Sequence, residues 1–392
     1  MKRFSQSPTD PNFVQDPYQF YEQARAAGDL IWWEDYHMPA AVSHAAVHAL
    51  LRDRRFGRER LSPRDVPPHL ARWDAVEKHS LLDAEPPRHT RLRKLVLRAF
   101  TSRRINAMAT EIEHLCHDLI DSFEDNQVDL LATYCTTIPV TIIARLLGVP
   151  EQMSTQLLSW SHAMVAMYQA SKTRDTEDTA DQASADFAAF LSDYIDARRR
   201  APRDDLLSEL IAAEQAGDKL TTEELIGTCV LLLNAGHEAT VHGLGNGIKA
   251  LLEHNAPRAA LVADAMPNTV EEVLRFDPPL HIFTRFAYED VDAFGHTFRR
   301  GDEVSLVLGS AGRDAALGEH PGQFDPTRPA RQHLALGGGL HFCVGAPLAR
   351  LELQIGLRVL FERLPNLALQ GVPQFANTYH FHGLTALNVR QT

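Results

Sequence analysis

The residues with the most evident chemistry lie in one short segment near the C-terminal end of the chain. Residues 334–350 read LALGGGLHFCVGAPLAR, which places one cysteine, Cys343, between a run of three glycines and the start of a helical pattern. Glycines let a backbone adopt positive φ and approach a bulky group closely. The free N–H groups at a helix start favour negative charge, so a cysteine there is held as a thiolate, which is a nucleophile or a metal ligand.

Two other interpretations of this segment stay open from the residues alone. A lone cysteine is more often a small buried apolar residue than a reactive one. A phosphate-binding loop is the weaker alternative, because no Lys-Ser or Lys-Thr pair follows the glycines.

The segment resembles the ligand loop of the cytochrome P450 haem-thiolate monooxygenases, whose pattern is FGxGxHxCxG. Residues 336–345 read LGGGLHFCVG and depart from that pattern only at Leu336, where the family has an aromatic residue that tunes the reduction potential. The resemblance implies that Cys343 binds the iron of haem b. The other loop positions that it assigns to the cofactor are Gly337, His341 and Gly345.

A second family motif, ExxR, occurs upstream as Glu272 and Arg275, and residues 324–328 read FDPTR. Glutamate and arginine three apart are common on helix surfaces, so this pair alone means little. Because it precedes a matching ligand loop, the resemblance implies a structural cluster of Glu272, Arg275 and Arg328.

The carboxylates of a haem require cationic partners. By resemblance these are His89 and Arg93, then Arg285, and His333 just upstream of the ligand loop. Residues four apart share one helix face, so His89 and Arg93 can reach the same pair of carboxylates.

A long apolar helical pattern is interrupted by Gly236 and Glu238, which are costly inside a buried helix unless something lies against them. A zinc-protease helix needs two histidines four apart, and His237 and His242 are five apart. The glycines of residues 243–247 follow no strand, so a dinucleotide fingerprint is excluded as well.

In the family this segment crosses the face of the haem where oxygen binds. The resemblance implies that Ala235 and Gly236 leave room for O2 and that Glu238 relays protons. The usual threonine is replaced by Ala239, and Thr240, the next residue, points about 100° away around the helix. Alanine donates no hydrogen bond, so we expect ordered water or a substrate hydroxyl to deliver protons.

The substrate pocket follows from helix register and from the resemblance. Three residues on the face of Ala239 and three downstream residues are assigned to it: Leu231, Asn234, Ala235, His281, Phe283 and Phe381. The alternative for Asn234 and His281 is that they only cap backbone groups or water. Residues 57–87 and 160–180 correspond to the variable lids of the pocket.

Electrons must come from a partner, because the sequence shows no flavin or iron–sulfur motif. A positive stripe occupies residues 88–104, which contain no Asp or Glu, and we expect it to bind an acidic ferredoxin reduced by an NAD(P)H ferredoxin reductase. The alternative is a solvated helix face. The stripe consists of Arg88, Arg91, Arg93, Lys94, Arg98, Arg103 and Arg104.

The elements that must position these residues are mostly helices. Apolar spacing of three and four predicts helices over residues 89–100, 105–123, 136–147, 181–200, 204–216, 222–254 and 346–364, and one that opens at Asn268. Strand-like pieces precede residue 60 and follow Pro278, with residues 57–87 as an irregular connection. We expect one mainly α domain with a minor β portion over residues 1–392. The resemblance implies the cytochrome P450 fold, a triangular helical prism with haem between the oxygen-binding helix and the cysteine-ligand helix.

Composition excludes several functional classes. The 392 residues carry a formal net charge of -12, which is unlike a basic nucleic-acid binder. The longest apolar stretch, residues 225–236, is far shorter than the roughly 20 residues that span a bilayer. Four irregularly spaced cysteines form neither a zinc nor a disulfide framework. We therefore expect a cytoplasmic monomer that binds neither membrane nor nucleic acid.

The resulting hypothesis is a monooxygenase. It inserts one oxygen atom from O2 into a small or medium-sized organic substrate by hydroxylation, epoxidation or oxidative demethylation, with electrons from a ferredoxin chain. One alternative is a peroxide-driven haem-thiolate peroxygenase, which Ala239 favours. The other is a non-catalytic haem-binding sensor.

Overall fold

A computed structural model describes residues 1–63, 65–215 and 220–391 of the chain. The α-helices are α1 (Pro11–Gln15), α2 (Tyr18–Ala27), α3 (His44–Arg52), α4 (Ala71–Glu77), α5 (Arg88–Ala99), α6 (Ser102–Ala107), α7 (Ala109–Asp121), α8 (Thr137–Leu147), α9 (Ser154–Val165), α10 (Arg174–Arg200), α11 (Leu206–Gln215), α12 (Thr222–Glu253), α13 (Met266–Phe276), α14 (Leu308–Ala311) and α15 (Ala346–Arg363). The strands are β1 (Lys2–Phe4), β2 (Leu30–Trp33), β3 (Met38–Ala41), β4 (Phe56–Gly57), β5 (Gln127–Asp129), β6 (Ile282–Ala287), β7 (Val291–Ala293), β8 (His296–Phe298), β9 (Glu303–Val307), β10 (Leu367–Leu369) and β11 (Asn388–Gln391). The expected mainly α class with a minor β portion is confirmed.

Contacts between Cα atoms divide the chain into two compact units. The first unit consists of Met1–Leu61, Ala109–Ile138 and Ala239–Thr392, and the second of Ser62–Met108 and Pro139–Glu238. The long helix α12 contributes residues to both units. The expectation of one domain over the whole chain stays a prediction.

The first unit contains the sheets. Six strands are ordered β1-β2-β3-β9-β6-β4, with parallel pairs β1–β2 and β3–β9 and antiparallel neighbours elsewhere. Apolar side chains of β3, β9 and α3 share one buried core, so the sheet carries a hydrophobic face on which α3 packs. Strands before residue 60 and after Pro278 were both expected, and the sheet joins them.

The second unit is helical. Helix α10 packs against α9 and α4. Its buried Asp181 accepts hydrogen bonds from the backbone N–H groups of Arg72 and Trp73, at 2.8 and 2.9 Å. Because the first N–H groups of a helix lack partners within it, this carboxylate acts as a cap for α4 supplied from another helix.

Most of the predicted helices are present with ends within a few residues. The predicted start of α12 is confirmed in detail, because Glu224 N–H donates to Thr221 Oγ1 at 3.2 Å and Thr221 N–H donates to the Glu224 carboxylate at 3.1 Å. This reciprocal pair satisfies two N–H groups that the helix itself leaves unpaired.

Three local predictions were wrong. Residues 57–87 are not wholly irregular, since they contain α4. The predicted helix 105–123 breaks into α6 and α7, and α10 begins at Arg174 rather than at residue 181. The helix predicted over 204–216 is α11, and its last predicted residue lies outside the described residues. Helices α1 to α3 were not predicted, because their apolar runs are too short for helical periodicity to appear.

Within the described residues, the helices that are long enough to span a bilayer are too polar to do so.

Candidate active site

The glycine-rich loop is a tight turn that ends at Cys343. The Cys343 N–H donates to the Leu336 carbonyl at 3.0 Å, which closes the loop. Gly337 and Gly339 have φ of +73° and +63°, a region that favours glycine. A Cβ on Gly339 would also collide with the Leu51 carbonyl oxygen. The run of glycines is therefore required both by backbone conformation and by close packing.

Cys343 differs from the other three cysteines in its surroundings. It is half-buried and lies three residues before the start of α15, where peptide dipoles favour a negative sulfur. The other cysteines are buried, and burial raises the pKa of the Cys116 and Cys229 thiols to about 12. A thiolate is therefore disfavoured at those buried positions.

The structure brings Glu272, Arg275 and Arg328 together. Arg275 Nε and Nη2 donate to the two carboxylate oxygens of Glu272 at 2.6 and 2.8 Å, and Arg328 Nε lies 3.6 Å from Glu272 Oε1. Arg275 also donates to the carbonyls of Gly312 and Pro321, both at 2.7 Å. The cluster thus ties α13 to the chain that leads into the ligand loop.

His333 has partners other than the predicted haem carboxylate. Its Nε2 lies 3.1 Å from the Glu271 carboxylate, and its Nδ1 accepts the N–H of Ala335 at 3.2 Å. Arg350 binds the same carboxylate at 2.6 and 2.9 Å. Burial opposes ionisation of Glu271, but the hydrogen bonds from His333 and Arg350 outweigh it and lower the pKa to about 2. His333 therefore holds the ligand loop to α13, and the prediction that it binds a haem carboxylate stays a prediction.

The remaining predicted cations lie in different units. His89 (1% exposed) and the half-buried Arg93 lie one turn apart on α5 in the second unit. Arg285 (2% exposed) lies on β6 in the first unit and donates to the Thr284 carbonyl at 2.8 Å. Guanidinium and imidazolium groups bind carboxylates by charge-assisted hydrogen bonds, so each residue has the chemistry to bind a haem carboxylate.

Helix α12 has one open stripe on a mostly buried surface. Leu231, Ala235 and Ala239 follow one another at intervals of four; Ala235 is exposed and the other two are half-buried. Thr240 is buried, on a different face from Ala239, as its register predicts. The helix therefore has a strip of small and apolar side chains that the described residues do not cover completely.

Two predicted residues of α12 point away from this stripe. A Cβ on Gly236 would lie 2.7 Å from Cγ1 of Ile143, so the missing side chain makes room for Ile143. Asn234 is buried, and its Nδ2 contacts Met164 Sδ at 3.7 Å. The room for O2 at Gly236 and the pocket role of Asn234, which is buried in the second unit, both stay predictions.

Glu238 has two histidine neighbours. Its Oε1 lies 3.1 Å from Nε2 of His162, on α9, and 3.6 Å from Nε2 of His237. His162 was missed from the sequence, because it is distant along the chain and no motif includes it. The carboxylate is buried, while the His162 side chain is 55% exposed.

The downstream pocket residues share one neighbourhood in the first unit. Leu280 and Phe381 form an antiparallel bridge, and the His281 N–H donates to the His380 carbonyl at 2.9 Å, so the segments that carry His281, Phe283 and Phe381 lie side by side. The His281 ring is fully buried and faces other polar groups. Its Nδ1 lies 2.9 Å from the Tyr21 hydroxyl and its Nε2 lies 3.5 Å from the Asp277 carboxylate.

Burial lowers the pKa of His281 to about 4, and the neighbouring His382 lowers it further. A neutral ring held by the hydroxyl and the carboxylate is a structural element of this first unit. The two aromatic residues, Phe283 and Phe381, are the half-buried members of the set.

A cytochrome P450 family model matches residues 14–263 and 264–374. The chain belongs to the cytochrome P450 family. Cytochrome P450 monooxygenase PikC of Streptomyces venezuelae is 38% identical over 399 residues, which cover 97% of this chain and 92% of that protein. Mycinamicin IV hydroxylase/epoxidase of Micromonospora griseorubida is 37% identical over 335 residues, which cover 84% of this chain and 82% of that protein.

The fold matches solved structures of the same family. P450BioI, in complex with acyl carrier protein ligated to hexadec-9Z-enoic acid, superposes with a TM-score of 0.92 at 31% identity, covering 97% of this chain and 100% of that one. The cytochrome P450 fold and the enzyme class, a monooxygenase, are thereby confirmed for this cytochrome P450.

The residues of this chain fit a haem. Cys343 is the half-buried cysteine, set beside a helix start that favours the thiolate, and a thiolate is a haem iron ligand. Buried Arg285 and His89 have the charge and the N–H donors that haem carboxylates require. The open stripe of α12 has side chains small enough to lie against a flat macrocycle.

Proposed function

We propose that this cytochrome P450 inserts one oxygen atom from O2 into a small or medium-sized organic substrate, by hydroxylation, epoxidation or oxidative demethylation. The observation that carries the proposal is the closed glycine turn, which holds Cys343 half-buried beside the start of α15. The relative named as a hydroxylase/epoxidase supports two of these reactions.

The cofactor that we propose is haem b, with Cys343 as its iron ligand. When bound, a haem with a thiolate ligand supplies an electron-rich iron that favours cleavage of the O–O bond. The chain itself supplies the anionic sulfur, holds it in a fixed turn, and offers cations to the carboxylates. We assign that last role to His89, Arg93, Arg285 and His333.

Proton delivery centres on Glu238. Its carboxyl is buried at the end of the open stripe and lies 3.1 Å from an imidazole that reaches solvent, so it can hold a proton and exchange it. Ala239 carries no hydroxyl and cannot pass that proton on. We therefore assign the last step of delivery to ordered water or to a hydroxyl of the substrate.

Substrate positioning falls to the apolar groups of the predicted pocket. Leu231 and Ala235 lie on the open stripe of α12, and Phe283 and Phe381 are half-buried in the first unit. Asn234 and His281 are buried within their own units, and we propose them as the polar members of the pocket, with capping of backbone groups or water as the alternative. Apolar lining favours a substrate with a large hydrocarbon surface.

We propose that electrons reach the enzyme from an acidic ferredoxin that binds the positive stripe. Lys94, Arg98 and Arg103 are exposed and suit this role. Arg91 instead makes a two-bond ion pair with Glu224, at 2.6 and 2.8 Å, so it contributes little net charge to the surface.

We further propose that residues 1–392 act as one catalytic domain. The test of the function compares product formation with a ferredoxin, its reductase and NAD(P)H against formation with hydrogen peroxide alone, for a substrate found by the spin-state absorbance shift. Product that requires the electron chain and O2 is expected. Equal product with peroxide alone would show a peroxygenase, and no oxidised product under either condition would indicate a haem-binding sensor.

A further inference from the structure

Three potential metal ligands of the second unit converge on one point. One ring nitrogen of His162, one ring nitrogen of His237 and a carboxylate oxygen of Glu238 all lie within 4.8 Å of one another. His162 comes from α9, and the other two residues are neighbours on α12. The oxygen of Glu238 lies between the two imidazoles, at 3.1 Å from one nitrogen and 3.6 Å from the other.

The hydrogen bond made by the His237 ring leaves a lone pair on its Nε2, the ring nitrogen that faces Glu238. Its Nδ1 lies 2.7 Å from the Leu233 carbonyl, so Nδ1 carries the hydrogen and donates it. Nε2 then presents a lone pair. Among the described residues Nε2 has no hydrogen-bond partner, and the side chain is only 4% exposed.

This arrangement sets an imidazole lone pair against a carboxylate oxygen. Two acceptors that face each other inside a protein are unfavourable unless a proton or a cation lies between them. The Leu233 carbonyl also fixes the ring in the tautomer that a metal requires. Histidines that bind metals typically donate the other ring N–H to a carbonyl or carboxylate in this way.

The donor set selects the class of ion. Two imidazoles and one carboxylate are the ligands of zinc sites that keep an open fourth position. Bonds of about 2.1 Å in a tetrahedral site place ligand atoms roughly 3.4 Å apart, between the two measured distances of Glu238. Calcium and magnesium prefer oxygen ligands throughout, so they fit this set poorly.

We propose that His162, His237 and Glu238 form a binding site for a divalent transition-metal ion, with Zn²⁺ as its representative. The ion enters from the solvent side, where His162 is exposed, and completes the buried side of the site on His237. The site needs neither haem nor substrate, because all three ligands lie in the second unit.

The site has a consequence for catalysis that rests on the proposed function. An ion held on Glu238 occupies the carboxylate to which we assign proton delivery. Zn²⁺ bound there therefore inhibits oxygenation, while substrate binding, measured by the spin-state shift, is retained.

The test is a calorimetric titration of chelator-treated, haem-loaded enzyme with Zn²⁺, together with metal analysis after dialysis. One site per chain is expected. His162→Ala and His237→Gln should each weaken it by at least about tenfold, since even outer contacts of a metal site are worth about 10–100-fold. The matched control is His44→Ala/His48→Ala, which removes a different pair of neighbouring histidines, on α3, and should leave the site intact.

His237 is buried, so the Zn²⁺ affinity of His237→Gln is interpreted only if its unfolding midpoint equals that of the wild type. If the midpoints differ, the affinity of the exposed variant His162→Ala alone decides the test. Zn²⁺ binding that is absent, or unchanged in His162→Ala, would overturn the site and leave a shared proton as the occupant. Zn²⁺ binding that His162→Ala weakens while turnover is never inhibited would support the site and reject the role of Glu238 in proton delivery.

Discussion

At residue 239, the open stripe of α12 has a methyl group where the family pattern has a hydroxyl. If water or a substrate hydroxyl delivers protons there, Ala239→Thr adds a competing donor and displaces that water. We expect the variant to change the fraction of O2 that is released as peroxide by severalfold, within the range of about 10²-fold that one positioned proton donor contributes. Oxygen, peroxide and product are measured in the same reaction.

The control for this variant is Thr240→Ala, which removes the hydroxyl on the buried neighbouring face. It should alter the peroxide fraction less than Ala239→Thr does. Turnover and peroxide release that both stay unchanged in Ala239→Thr would show that residue 239 does not limit proton delivery.

The ion pairs of Glu271 predict that the free energy of unfolding depends on pH. Its pKa in the folded protein is lowered from 4.5 to about 2, because His333 and Arg350 bind the carboxylate strongly enough to outweigh burial. A carboxyl with a lowered pKa stabilises the fold above its ordinary pKa, and this contribution is lost as the pH falls toward the folded value. The difference in unfolding free energy between wild type and Glu271→Gln should therefore be constant above about pH 5 and shrink below it.

Urea unfolding at a series of pH values measures this difference. Arg350→Met removes one of the two partners and should reproduce part of the effect. A difference that does not depend on pH would contradict the ion-paired state of Glu271.

At the scale of elements, the buried cluster on α13 is the main tie between that helix and the chain leading to the ligand loop. Glu272→Gln leaves the buried guanidinium of Arg275 without its charge partner. Breaking such a pair costs about 3–5 kcal/mol, so we expect a loss of unfolding free energy of this size, measured by urea unfolding. The exposed pair of Arg174 and Asp178 is the control, and Asp178→Asn should change stability by less than about 1 kcal/mol.

If Glu272→Gln lost as little free energy of unfolding as the surface control Asp178→Asn, a structural role for the cluster of Glu272, Arg275 and Arg328 would be contradicted. The corresponding readout for the site is the haem content of the purified variant, which should fall together with stability.

The sequence predicts those features of the fold and of the candidate site that depend on neighbouring residues, and it misses those that depend on contacts between residues distant along the chain. The start of α12, the glycine loop and the ExxR pair are local patterns, so periodicity and motif spacing located them. The His162–Glu238 contact, the Ile143 side chain against Gly236 and the Glu271 partner of His333 depend on elements distant in sequence. Helix α4 was missed for the same reason, since its cap comes from Asp181 on α10.

At the scale of the whole molecule, a chain of net charge -12 carries a cationic surface on α5 and α6. Charge reversal at exposed Lys94 should slow reduction by an acidic ferredoxin severalfold at low salt and much less at high salt, because screening weakens steering between exposed charges. Lys2→Glu reverses an exposed lysine on β1, outside the stripe, and serves as the control. Arg91 is unsuitable, since its reversal would also break the ion pair with Glu224.

Stopped-flow reduction at several salt concentrations measures this effect. Equal rates for Lys94→Glu and Lys2→Glu at every salt concentration would reject the stripe as the binding surface for the electron donor.

The proposed function depends most on the sulfur of Cys343, and the absorption spectrum of the reduced, CO-treated protein tests it directly. The wild type and Cys229→Ala, a buried-cysteine control, should both give the spectrum of thiolate-bound haem. Cys343→Ala should lose that spectrum and most of its pigment. A colourless wild-type protein, or a Cys343→Ala variant with the wild-type spectrum, would contradict it.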